Sequence, residues 1–157
     1  MTAIGELQDH YERQFKTLDT VYDRTNDEAW AYADQRLKGI WQWMAHALET
    51  IEFYLGRYDA EGFPWGHRFD LDWEDDQAQS IPSPEAMRIY QEDVRALVTQ
   101  LLGSKTDADL LASESTHPWT GQTYLGKLLY VMRHTQQHIG DINRVLRLNG
   151  CEALRWH

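Results

Sequence analysis

Apolar residues recur every three or four positions along four long stretches of this chain, and almost nothing alternates with the period of two that a strand requires. From about Ala3 to Tyr22 the stripe is Ile4, Leu7, Tyr11, Phe15, Leu18 and Tyr22. From about Gln35 to Tyr58 it is Ile40, Trp43, Ala47, Ile51, Tyr54 and Tyr58. The third stretch opens with Ser83-Pro84, an N-cap followed by proline at the first helical position. It runs through Met87, Tyr90, Val94, Leu97 and Leu101 to a stop at Gly103. The fourth runs from about Gly121 to Leu148, where Asn149-Gly150 ends it. Asp27 to Ala33 has room for a short extra helix. Four amphipathic helices in 157 residues predict one all-α domain spanning residues 1–157, a four-helix bundle.

The links refine that expectation. Asp59 to Pro82 is long, and it holds Gly62, Pro64, Gly66 and Pro82. A link of this length can cross the bundle and set two consecutive helices parallel. It is also rich in tryptophan and acid, with Trp65, Asp70, Asp72, Trp73, Glu74, Asp75 and Asp76. Loops this long are often lids or interface pieces; the plainer expectation is a crossover pinned to the bundle by its aromatics.

Charge narrows the partners. Fifteen basic residues against 25 acidic ones give a formal charge of −10, which repels nucleic acid and anionic membranes and attracts metal cations. No apolar run approaches the roughly 20 residues of a membrane span. The start of the chain lacks the order of a signal peptide, and the single Cys151 forms no intramolecular disulfide. The expected location is the cytoplasm.

Histidine placement carries the functional signal. At about 100° per residue, His138 lies within the apolar arc of the fourth helix and His134 at its edge. His46 lies at the edge of the arc on the second. A lone histidine at a core margin is ordinarily a satisfied boundary residue. The His134/His138 pair, one turn apart, can grip a single ion, and His46 completes a three-nitrogen site if the two helices adjoin. His10, His67, His117 and His157 lack such a pattern. A di-iron carboxylate centre is disfavoured: it needs inward glutamates on all four helices with Glu-x-x-His spacing, whereas here His46 precedes Glu49 and His138 precedes Asp141. Asp141 is either an acceptor that orients an imidazole or a surface acid.

Trp41-Gln-Trp-Met-Ala-His46, together with Arg133-His-Thr-Gln-Gln-His-Ile-Gly-Asp-Ile142, resembles the DinB/YfiT-like superfamily. The likeness spans nearly the whole chain. It implies an up-down-down-up bundle whose crossover joins the second and third helices, and a metal site made of His46, His134 and His138. Relatives of that kind include thiol-dependent S-transferases, a mycothiol-dependent isomerase and metal-dependent hydrolases.

Three neutral imidazoles suit a divalent transition metal, zinc, nickel or iron. Its open position can take water, for hydrolysis, or a low-molecular-weight thiol, for transfer to a small-molecule electrophile. Non-catalytic metal or small-ligand binding is the reading from another class. A surplus of aromatics beyond the four stripes (Trp30, Trp41, Trp65, Trp73, Trp119 and Trp156) raises the expectation of a homodimer.

Overall fold

The computed structural model describes residues 2–32, 37–56, 62–75, 78, 80–114 and 116–157. Ala33, Gln35 and Tyr58, named above as helix limits, lie outside them, as do Asp59 and Asp76 of the crossover. The described residues are mainly helical and contain no strand, only an isolated bridge between Ser113 and Thr123.

Four long helices carry the architecture: α1 (Ala3–Arg24), α3 (Ile40–Leu55), α4 (Pro84–Gly103) and α6 (Tyr124–Leu148). Two single turns, α2 (Asp27–Trp30) and α5 (Asp107–Leu110), and a 3-10 turn at Pro118–Thr120 decorate the links. The caps explain the boundaries. Side-chain oxygens of Thr2, Asn26, Ser83 and Thr123 accept from backbone amides in the first turns of α1, α2, α4 and α6. The fourth long helix therefore starts at Tyr124, not at Gly121. Gly121 sits before it at φ +135°, and a Cβ there would meet the Cα of Gly126 at 3.1 Å. At the other end of the fold, Asp107 of α5 accepts from the Ile4 amide at 2.9 Å, supplying α1 with a cap from 103 residues away.

The helices form a ring in which α3 packs on α6 and α4, and α1 packs on α4 and α6. Partner order gives their directions. Arg95 reaches Glu12 and Asp19 while Arg88 lies over Tyr22, so α4 runs against α1. Tyr11 donates to the Leu128 carbonyl at 2.8 Å and Gln14 to that of Met132 at 3.0 Å, so α6 runs with α1. Trp43 meets His138 and Tyr54 meets Tyr130, so α6 runs against α3. Inside the ring, Tyr11, Phe15, Leu18, Met44, Leu48, Ile51, Met87, Tyr90, Leu128 and Ile139 are almost completely enclosed. Full burial of side chains of this size stabilises by about 1.5–3 kcal/mol each before the entropy of ordering is counted.

Two indoles depart from the expected surplus. Trp30 and Trp41 are each only 4% exposed, and Trp30 donates its Nε1–H to the Pro82 carbonyl at 2.8 Å. Trp65, Trp119 and Trp156 remain on the surface. The aromatic argument for a second copy of the chain is correspondingly smaller.

Candidate metal centre

Helix α3 presents His46 across its interface with α6, which presents His134 and His138 one turn apart. Ligand-capable atoms of the three all lie within 4.8 Å of one another. The Nε2 atoms of His134 and His138 are 3.2 Å apart. Two nitrogens bound tetrahedrally to one zinc at about 2.0–2.1 Å would sit roughly 3.3–3.4 Å apart, so this pair needs almost no movement.

Hydrogen bonding prepares the donors. His138 Nδ1 lies 3.1 Å from Asp141 Oδ2. That carboxylate holds the proton on Nδ1 and leaves the Nε2 lone pair facing the other two rings. Asp141 is therefore placed as an orienting acceptor, with about a third of its side chain still open to solvent. His46 Nδ1 and His134 Nδ1 are enclosed and lack a protein partner. Buried nitrogens of this kind normally find one; an ion held by His134 Nε2 would leave the Nδ1 of that ring unpaired, so of the two only His46 Nδ1 is a candidate ligand atom.

Electrostatics points the same way. Burial, reinforced by His138 and His134, pushes His46 down to about 3. Burial and His138 push His134 down to about 4. Burial lowers His138 too, against the opposing pull of Asp141. All three are neutral at pH 7, the form that ligates metal. Among the described residues no carboxylate joins the group.

Indoles cover the rings. Trp43 stacks on His138 with centroids 4.9 Å apart and planes 19° apart. Trp73, from the crossover, lies over His46 at 3.9 Å. Its position is set by Gln42, almost fully buried at the start of α3. The amide of Gln42 donates to the Trp73 carbonyl at 2.9 Å while its oxygen accepts from the Gly39 N–H at 2.7 Å. One turn beyond His46, Glu49 accepts from the Gly66 amide at 2.7 Å and ties the same crossover to α3. Glu49 is only 3% exposed because the crossover lies over it. Two clefts flank the centre. One, of about 760 Å³, runs between His46 and the crossover; the other, of about 720 Å³, has His134 and Tyr130 in its wall.

The other histidines stay apart. His10 and His157 are exposed, and His67 is held by the Pro64 carbonyl and Glu52. His117, which lacks the pattern of a ligand in the sequence, is 1% exposed and packed among Phe53, Tyr54 and Trp119. Its burial follows from the 3-10 turn after it, which no stripe announces.

A family model described as the DinB superfamily matches residues 10–142, which include all three histidines. The chain belongs to the DinB superfamily. Neither a curated protein nor a solved structure matches it. As a DinB protein it sits in a superfamily known for metal binding, and its His46, His134 and His138 are grouped so that they could hold an ion. The DinB fold here thus brings together the three residues singled out in the sequence. The crossover adds Trp73, and α6 adds Asp141.

Proposed function

We propose that this protein is a metal-dependent enzyme that joins a low-molecular-weight thiol to a small electrophile. In this reading His46, His134 and His138 hold one divalent transition-metal ion, zinc, nickel or iron. The observation that carries it is the convergence of three neutral imidazoles from two helices beside a cleft large enough for small reactants. An ion held by three neutral ligands keeps its full charge and an open position, and so favours the ionised form of a thiol.

The protein's own groups supply the rest. Burial keeps the imidazoles unprotonated, Asp141 fixes the ring of His138, and Trp43 and Trp73 limit water around them. In the transfer, the thiol proton leaves to solvent and the sulfur electron pair forms a bond to the electrophilic carbon. The leaving group departs with the pair of the broken bond, so no oxidant is required.

Elemental analysis of untagged protein beside a His134→Ala/His138→Ala variant comes first. One ion per chain, lost in the variant, is the expected result. Metal-dependent loss of cysteine thiol in the presence of 1-chloro-2,4-dinitrobenzene is expected next. Absence of metal after incubation with zinc, nickel and iron salts would refute the site. Bound metal with no thiol consumed would refute the transfer reaction and leave hydrolysis, or binding alone, to be tried.

A further inference from the structure

An indole carries a single hydrogen-bonding group, a donor, and a buried one ordinarily meets an acceptor. Trp30 gives its Nε1–H to the Pro82 carbonyl at 2.8 Å, and Trp119 gives its own to the Tyr54 hydroxyl at 2.8 Å. Trp43 departs from this pattern. Its Nε1 is enclosed and meets no acceptor among the described residues. A buried donor left unpaired costs free energy that a phenylalanine in the same place would not incur.

The surroundings narrow what the missing acceptor is. Trp43 precedes His46 by about one turn of α3, and its ring stacks on His138 at 4.9 Å. Trp73 lies 5.9 Å from Trp43 and 3.9 Å from His46. These contacts offer ring faces. Asp141, which pairs with His138 Nδ1, does not bond the indole nitrogen. In the same cluster His46 Nδ1 is also enclosed and unpaired. An unpaired donor beside an unpaired ligand nitrogen calls for a guest that brings a cation to the imidazoles and an acceptor to the N–H. A metal ion carrying one further, electron-rich ligand is such a guest.

We propose that the Trp43 Nε1–H donates to the non-protein ligand of the ion, and so positions the sulfur of a bound thiolate. This rests on the reading that His46, His134 and His138 hold the ion. Trp43 is a positioning residue: its N–H takes one sulfur lone pair and leaves another for the electrophile. Bonds to a charged acceptor are the stronger kind, so the N–H should tighten thiolate binding by about tenfold.

The test uses cobalt-loaded protein with 2-mercaptoethanol, whose binding is reported by sulfur-to-cobalt charge-transfer absorption. Trp43→Phe keeps an aromatic ring on His138 and removes the N–H. The variant is expected to take up cobalt, to bind 2-mercaptoethanol about tenfold more weakly, and to show the band at lower energy, because the sulfur lone pair is no longer stabilised. A second readout needs no variant beyond assignment. In zinc-loaded wild type labelled with nitrogen-15, the indole proton signal that Trp43→Phe lacks should move downfield on adding 2-mercaptoethanol, more than those of the other tryptophans.

A thiol band whose position and affinity are the same in the variant, with an unmoved Trp43 indole signal, would overturn the proposal and leave thiol activation intact. If Trp43→Phe fails to take up cobalt, the indole signal of the wild type decides. If no thiol produces the band, thiol activation fails by itself, and azide replaces the thiol as the ligand of the zinc-loaded protein. A downfield shift of the Trp43 signal with azide supports the proposal, and no shift overturns it. A protein that binds no ion overturns the proposal together with the metal site.

Discussion

Glu49→Gln should make the protein more stable in mild alkali and give no such gain in acid. The carboxyl of Glu49 is enclosed beneath the crossover, with Oε1 on the Gly66 amide and Oε2 without a partner. Burial raises it from 4.5 to about 7, outweighing the Gly66 bond, and Glu52 and Asp72 add to the rise. The folded state therefore holds this proton more tightly than the unfolded chain does. The stability it contributes is complete below pH 4.5 and is lost as pH rises to about 7 and beyond.

At 1.36 kcal/mol per tenfold change in proton affinity, the full difference is about 3 kcal/mol, and partial solvent access and salt reduce it to about 1–2 kcal/mol. Glutamine keeps the acceptor for Gly66 and carries no charge. Its amide N–H group, placed where Oε2 stands, adds a constant cost of about 1 kcal/mol that does not vary with pH. The diagnostic quantity is hence the change in ΔΔG with pH. Urea unfolding of metal-free wild type and variant at pH 4.5, 6, 7 and 8 should show the variant gaining on the wild type by about 1–2 kcal/mol across the series. A flat difference, or a gain toward acid, would refute the buried carboxyl as the source.

Asp141→Asn should weaken metal binding by about 10- to 100-fold, because a neutral amide oxygen is a weaker acceptor for the His138 Nδ1–H than the carboxylate; competition with a chromogenic chelator measures it. The depressed imidazoles act opposite to Glu49: metal-free protein should lose stability as pH falls from 6.5 toward about 4, and His46→Gln/His134→Gln should flatten that loss in thermal melts. Gly39→Ala should destabilise by about 1–3 kcal/mol, since a Cβ there would stand 2.5 Å from the Tyr32 carbonyl oxygen and 2.9 Å from that of Trp30; chemical denaturation checks it.

The long helices were legible because their stripes repeat over many turns and their caps are local: Ser83-Pro84 starts α4 where the sequence places it. The three histidines were legible for the same reason, as angular position on a helix is a one-dimensional property. What resisted reading depends on segments that meet only in the folded chain. Glu49 faces away from the bundle and is buried by Gly66 of a distant link. Trp73 reaches His46 through a hydrogen bond from Gln42, and no periodicity encodes it. The single turn α5 is too short for a stripe, and its role lies in Asp107 capping α1. Trp41 falls opposite its stripe and is nonetheless buried, so the wheel of one helix does not see every neighbour.

More than half of the 157-residue chain lies between His46 and His134. An ion bridging them would close that length into one loop, enclosing the crossover and all of α4. The site exists only while α3 and α6 are packed, so the ion would act on the folded state by mass action, as a removable long-range tether between the two helices. Because a chelator can withdraw it without breaking a covalent bond, the metal would set how often α3 and α6 part company. The exchange rates of amide hydrogens along those two helices would serve as a gauge of occupancy.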